Sequence, residues 1–326
     1  MTLRIVVVGA GYLAAPHAAG WAAAGDVVTQ VLASGSRRAS TLADQLGAAV
    51  SPSYDEMLSM VDVVDICSPT DTHLEYIRAA ADRSVPIVCE KPLGRTPAEA
   101  RESVEICEAA QVPLLVAHVV RFFPEYAGAR ERVLAGDIGE VAVMRLDRST
   151  HFPMREGLWF SDHARSGGVV LDLMIHDIDY ARWVAGAVTR VYARRAQAAG
   201  SGGHALATLR HSSGALTHVQ ASWDFPKGSF RTSLEIAGSD GLLTLHASEP
   251  FRSIDSGDVD ESEVPQPPTT LAESPYVTQM RHFSAVLHGD AEPIVSADDG
   301  AAAVAICDAI ERSVETGRAV ELEVEQ

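Results

Sequence analysis

Between Leu3 and Val119, short and nearly continuous apolar runs alternate with longer segments of helical periodicity. The runs are RIVVVGA, VTQVLAS, VDVVDICSP, VPIVCEK and VPLLVAHVV. A strand with one face in water alternates apolar and polar residues, so runs lacking that alternation predict strands covered on both faces, in a parallel sheet flanked by helices. The segments AAPHAAGWAAAG, RRASTLADQLG, SYDEMLSM, THLEYIRAAADRS and TPAEARESVEICEAAQ supply the helices. The expected N-terminal architecture is therefore α/β, a doubly wound parallel sheet.

The texture changes after RFFPEY. A helix EYAGARERVLAGD leads into GEVAVMRLDRS, followed by an irregular stretch rich in His, Pro and Trp, and then by a helical pattern over GGVVLDLMIHDIDYARW. From about Val188 to His246 the pattern alternates, as in GALTHVQASWDF and TSLEIAGSDGLLTLH, which predicts an open, mostly antiparallel sheet with one wet face. SGDVDESEVPQPPTT reads as a surface excursion or sheet edge, and ADDGAAAVAICDAIERSVETG as a last helix that starts near an Asp cap and ends at Gly317. A chain of 326 residues exceeds one compact core, so the expected division is 1–119 for the first domain and 120–326 for a second α/β domain.

Composition excludes several classes. With 47% hydrophobic and 21% charged residues the chain reads as globular, and a net charge of −18 repels both nucleic acid and anionic membrane surfaces. No apolar run is long enough to span a bilayer, and MTLRIVVVGAG enters a strand without a signal-like segment, so the expected location is cytoplasmic. Cys67, Cys89, Cys107 and Cys307 are scattered, with no C-x-x-C pair and no zinc-like spacing, which predicts free thiols and no metal.

VVVGAGYLAA places Gly9, Gly11 and Ala14 after a strand and at the start of a helix, the G-x-G-x-x-A form of the dinucleotide fingerprint. The first glycine permits the tight turn, the second lets the backbone approach a pyrophosphate, and Ala14 keeps helix and strand close. The loop Gly9, Ala10, Gly11, Tyr12 and Leu13 is thus the expected phosphate contact, at a helix start whose N–H groups favour an anion. The acid expected about 20 residues further on for a free ribose 2′-hydroxyl is missing. Ser34 stands there instead, followed by Arg37 and Arg38, and no acid occurs between Asp26 and Asp44. Paired guanidinium groups suit a 2′-phosphate, which favours NADP, with NAD possible; the same arginines also read as solvated charges opening a helix.

VPIVCEKPLG ends a strand with Glu90, Lys91 and Pro92, and open α/β sheets bind ligands beyond the carboxyl ends of their strands. Lys91 is a candidate proton donor there, or part of a Lys-Pro turn. In GGVVLDLMIHDIDYARW, about 100° per residue brings Asp172, His176 and Asp179 to nearly one angular position, so one helical face presents two carboxylates and an imidazole. That face is equally the wet side of a surface helix.

These segments together resemble the Gfo/Idh/MocA oxidoreductases. The likeness rests on GAGYLAAPHAAGW, CSPTDTHLEYIRAA, VCEKPLGRTPAEA, HVVRFFPEY, GDIGEV, GGVVLDLMIHDID and DAIERSVETGRAVEL, in that order along nearly the whole chain. The resemblance implies a Rossmann domain followed by an α/β domain whose open sheet forms a substrate wall and commonly an oligomer interface, here a homodimer or homotetramer. It puts the lysine of E-K-P at Lys91, and the aspartate and histidine of G-G-x-x-x-D-x-x-x-H at Asp172 and His176, all three facing the nicotinamide and the reacting oxygen. Glu90 precedes that lysine, and Ser68, Pro69, Thr70 and His73 match positions bordering the nicotinamide ribose.

The implied chemistry is hydride transfer between nicotinamide and a carbon of a sugar, inositol or related polyol. His176 would exchange the oxygen's proton, Lys91 would hydrogen-bond that oxygen, and Asp172 would orient the sugar and support protonated His176. Asp179 would hold the His176 ring or cap a neighbouring backbone group. Arg148, His151, Trp159 and His163 supply candidate pocket chemistry, with Trp159 beneath a sugar ring and Arg148 gripping hydroxyls, or structural roles. His118 and Arg121 either border the cofactor or anchor the domain crossover. A non-catalytic dinucleotide-binding sensor on the same scaffold is the alternative, which would have no need of Lys91, Asp172 and His176; a third reading is an enzyme of related architecture that reduces an imine or a tetrapyrrole, or opens a glycosidic bond through transient oxidation.

Overall fold

A computed structural model of the chain describes residues 1–33, 37–51, 53–151, 159–196, 203–246 and 273–323. The fold divides into two compact units, Met1–Phe122 with Leu271–Val304, and Phe123–Thr270 with Ala305–Gln326.

The first unit runs β1 (Arg4–Val8), α1 (Ala14–Ala24), β2 (Val27–Leu32), α2 (Arg37–Leu46), β3 (Ala49–Val50), α3 (Tyr54–Leu58), β4 (Val63–Ile66), α4 (His73–Ala81), β5 (Ile87–Glu90), α5 (Pro97–Ala110) and β6 (Leu114–Ala117). The six strands form one sheet in the order β3-β2-β1-β4-β5-β6, with every pairing parallel. Each residue of β4, β5 and β6 is buried, which is what an uninterrupted apolar run demands. The winding reverses between β1 and β4, so their carboxyl ends form the position at which open α/β sheets accept ligands. Local signals set the helix limits: Thr96 Oγ1 accepts the Glu99 N–H at 3.2 Å and Pro97 occupies the first turn of α5.

The second unit runs α6 (Pro124–Leu134), β7 (Val141–Thr150), α7 (His163–Ser166), a π-helix (Val170–Met174), α8 (Ile175–Ala185), β8 (Val188–Ala196), β9 (His204–His211), β10 (Leu216–Ser222), β11 (Phe230–Gly238) and β12 (Leu242–His246). Two further helices, α9 (Pro275–His288) and α10 (Ala297–Thr316), precede the short β13 (Val320–Glu321). The second sheet is ordered β12-β11-β7-β10-β9-β8-β13 and is antiparallel except where β10 meets β7. Burial alternates along β9 and β10, leaving Leu206 and Leu216 on the wet face. The acidic, Pro-rich excursion expected over 256–270 lies outside the described residues.

Helix α9 belongs to the first unit although it follows the second sheet in sequence. It packs closely on α1: a Cβ at Gly20 would lie 2.6 Å from Met280 Cγ, and Ser284 Oγ donates to Asp26 Oδ2 at 2.6 Å. This helix is absent from the elements expected above, although Pro275 at its start and Gly289 at its end are ordinary helix punctuation. At the start of α10 the Ser296 hydroxyl accepts the Asp299 N–H at 3.0 Å while Asp299 Oδ2 accepts the Ser296 N–H at 3.1 Å. The expected Asp cap is thus half of a reciprocal capping box whose other half is Ser296.

The helix expected over GGVVLDLMIHDIDYARW is not regular throughout. Asp172 lies in the π-helix, and α8 begins only at Ile175. A π-helix bonds i to i+5 and turns less per residue than an α-helix, so Asp172 departs from regular helical geometry, while His176 and Asp179 lie three residues apart within α8. Asp172 and His176 are half-buried, whereas Asp179 is 1% exposed and belongs to the interior.

Candidate active site

In the first unit, β1 delivers the chain into the loop Gly9, Ala10, Gly11, Tyr12 and Leu13, and α1 starts at Ala14, which is fully buried. Gly9 has φ of +108°, and a Cβ there would stand 2.6 Å from Cys67 O, so both the backbone conformation and the close approach of the β4 loop require glycine. Gly11 is exposed, and a Cβ there would meet nothing closer than 3.9 Å, leaving room over the loop for a ligand. No side chain caps the start of α1. An uncapped helix start behind a glycine turn suits a dinucleotide pyrophosphate, so these residues fit the cofactor that the sequence implies.

Ser34 lies outside the described residues, while Arg37 and Arg38 are both exposed on the first turn of α2. Thr41 Oγ1 donates to Arg37 O at 3.0 Å, which ties that turn down and leaves the guanidinium groups in water.

Ser68 and Pro69 are half-buried, whereas Thr70 and His73 are 2% and 1% exposed. The His73 ring lies between two carbonyls, Nδ1 at 2.9 Å from Pro92 O and Nε2 at 3.0 Å from Ser68 O, one of which takes its N–H. Burial holds its pKa below the usual imidazole range, so the ring is a neutral strut joining the loops after β4 and β5. The Lys91–Pro92 bond in the second of these loops is cis, and Lys91 itself is half-buried at the tip of β5.

Directly beneath that tip lies a charge network that sequence reasoning missed. His17, on the first turns of α1, is fully buried with Nδ1 at 3.0 and 3.1 Å from the two Asp65 oxygens and Nε2 at 2.9 Å from Glu90 Oε1. Trp21 Nε1 donates to Asp65 Oδ2 at 2.7 Å, and Cys67 Sγ lies 3.4 Å from His17 Nδ1. Burial by itself would depress the His17 pKa, but the Asp65 charge and Cys67 outweigh it and hold the imidazole well above its ordinary value. Burial together with Asp65 pushes the Cys67 thiol up to about 12, which keeps it protonated. The signal was present in the sequence: a histidine in an alanine-rich helix and an aspartate inside VVDIC are buried polar groups that need partners.

Glu90 is corrected by the same contacts. Its Oε1 faces His17 and its Oε2 accepts the Lys91 backbone N–H at 3.0 Å, so a residue expected to touch cofactor turns its carboxylate inward. Arg121, 2% exposed, donates to Ile294 O at 2.8 Å and Asp299 Oδ2 at 3.0 Å; it anchors the start of α10 within the first unit. His118 is likewise buried.

In the second unit, Asp172 projects from the π-helix and His176 from the first turn of α8, both half-buried. The glycines before them are compelled: a Cβ at Gly167 would lie 2.4 Å from Leu171 Cδ2, and Gly167 has φ of +76°. Trp159 stacks on Phe160 with centroids 4.0 Å apart and both rings half-buried, and His163 is exposed on α7. His151 pairs with Asp224 through an isolated bridge at the end of β7. Arg148 departs from its expected role, because its guanidinium makes two hydrogen bonds to the fully buried Asp177 at 3.0 and 2.9 Å and only 5% of the residue is exposed. Sequence reasoning passed over Asp177 because His176 beside it carried the motif. Among the described residues no helix is long and apolar enough to cross a membrane.

Residues 3–118 match the Gfo/Idh/MocA "Oxidoreductase family, NAD-binding Rossmann fold", and residues 126–244 match the Gfo/Idh/MocA C-terminal domain. The chain is 30% identical over 280 residues to a D-apiose dehydrogenase of Paraburkholderia graminis, covering 80% of this chain and 73% of that one. It is 29% identical over 308 residues to D-xylose 1-dehydrogenase (NADP(+)) 2 of Haloferax volcanii, covering 88% and 89%. A crystal structure of a myo-inositol dehydrogenase from Corynebacterium glutamicum superimposes with a TM-score of 0.83 at 26% identity, over 100% of both chains.

Proposed function

This chain belongs to the Gfo/Idh/MocA family of oxidoreductases, and from that premise we propose that it transfers a hydride between a nicotinamide dinucleotide and a carbon of a sugar, inositol or related polyol. The observation that carries the reading is the Gly9 turn, closed against Cys67 at the strand-order reversal, with Lys91 at the tip of β5 in the same sheet. A turn that excludes every side chain at Gly9 and an uncapped helix behind it have a clear use in holding a pyrophosphate.

When bound, the nicotinamide supplies the hydride acceptor or donor. The protein's own groups handle the proton and the charge. His176 exchanges the proton of the substrate hydroxyl, work for which an imidazole is matched near neutral pH. Lys91 hydrogen-bonds the same oxygen and offsets the negative charge that develops on it, while Asp172 orients the sugar and supports protonated His176. Arg37 and Arg38, exposed on α2 with no acid between Asp26 and Asp44, favour NADP over NAD. Tyr192, Leu206, Leu216 and Leu242, each between 39% and 56% exposed on the second sheet, favour self-association as a homodimer or homotetramer. Four free cysteines favour the cytoplasm.

The test is a panel of sugars and polyols, including D-xylose and myo-inositol, followed by nicotinamide absorbance with NADP and NAD in parallel. One member should turn over, and Lys91→Ala should then lose turnover by orders of magnitude while keeping cofactor affinity. Near-normal turnover by that variant would refute the assignment.

A further inference from the structure

We propose that His17 is a positioning residue for Lys91, acting through the carboxylate of Glu90. The inference rests on Lys91 being catalytic, as set out above, but its geometry lies wholly within the first unit. His17 Nε2 donates to Glu90 Oε1 at 2.9 Å, and Glu90 Oε2 accepts the backbone N–H of Lys91 at 3.0 Å. One carboxylate therefore links the ring to the peptide plane from which the Lys91 side chain departs. On its other side the ring is fixed by Asp65, which Trp21 Nε1 holds at 2.7 Å.

Two physical arguments separate positioning from mere stabilisation. Burying two carboxylates and an imidazole costs several kcal/mol per ion, and apolar replacements of such groups are often as stable or more so, so stability alone does not explain the network. The second argument concerns leverage. Lysine is long, so a small tilt of the Lys91 amide displaces the ammonium at the end of its four-carbon chain by much more. Glu90 is 5% exposed; without His17 its carboxylate would swing towards another donor, and the Lys91 N–H would lose its fixed acceptor. His17 also stands at the start of α1, where its own N–H reaches Leu13 O at 3.1 Å. The phosphate loop and the catalytic lysine are consequently held by one set of hydrogen bonds.

The experiment compares His17→Gln, Lys91→Ala, the double variant and Met57→Ala, using the panel member with highest turnover. His17→Gln should lower kcat about 10- to 100-fold with the cofactor KM within about threefold, and should cost nothing further in the Lys91→Ala background. Met57→Ala, which opens a cavity under α3 in the same unit at a fully buried residue outside the His17 hydrogen bonds, should lower the melting temperature and keep kcat. Hydrogen exchange at the Lys91 amide should accelerate in His17→Gln and stay slow in Met57→Ala, a readout that needs no substrate. Unchanged exchange or unchanged kcat in His17→Gln overturns the proposal, as do losses that multiply in the double variant. Should His17→Gln fail to fold, Glu90→Gln keeps the acceptor for Lys91 but not the charge facing His17, and its kcat must fall for the proposal to stand. Retained turnover in Lys91→Ala alone is a separate result that refutes the catalytic role of Lys91 and leaves the exchange measurement to decide on His17.

Discussion

Arg148 on β7 and Asp177 on α8 form a two-point ion pair, with Nε to Oδ2 at 3.0 Å, Nη2 to Oδ1 at 2.9 Å, and side chains 6% and 0% exposed. Truncating one partner leaves a buried charge uncompensated, which costs about 3–5 kcal/mol. Arg148→Ala should therefore lower stability in denaturant by that amount, with turnover per folded molecule nearly unchanged. A variant of full stability whose substrate KM rises would return Arg148 to the pocket.

Arg37 and Arg38 are the only arginine or lysine residues between Arg4 and Arg78, and both face water on α2. Replacing both with Ala should raise the KM for NADP by roughly 10-fold or more, since each guanidinium–phosphate contact is a charge-assisted hydrogen bond worth about 1.5–3 kcal/mol. The KM for NAD should hardly move. Equal losses with both cofactors would contradict binding of a 2′-phosphate.

Two buried histidines give stability a pH dependence of opposite sign. The His17 pKa is raised in the folded protein, so its contribution is complete below about pH 6.5, the unfolded value, and declines as pH rises through the folded value. His73 is lowered by burial, so its contribution is present above about 6.5 and fades as pH falls. Denaturant titrations should show the stability gap between the parent and His17→Gln narrowing from pH 6 towards alkaline pH. A gap that widens over that range would mean the ring is not held as a cation.

Leu206, 55% exposed on β9, lies on the wet face of the second sheet near Tyr192 of the adjoining strand. Leu206→Glu should halve the mass measured by light scattering, because a charge at the centre of an apolar contact is costly to bury. An unchanged mass would place any subunit contact elsewhere.

Local pattern was enough for much of this protein. The uninterrupted apolar runs dictated a covered parallel sheet, because a strand facing water on one side cannot be apolar throughout, and Gly9 announced a turn that no side chain can enter. The Lys91 position followed from the end of a strand, and the one-sided second sheet from period-two alternation along β9 and β10. What pattern could not supply were choices made between residues distant in the chain. Asp177 rather than water receives Arg148 across 29 positions, and His17 meets Glu90 across 73. Helix α9 packs on α1 although the whole second sheet lies between them in sequence, and a π-turn at Asp172 interrupts the regular helix that the pattern predicted. Periodicity records which side of an element is dry; it carries no information about which buried charge will find which partner, because that depends on where the packed chain brings the two together.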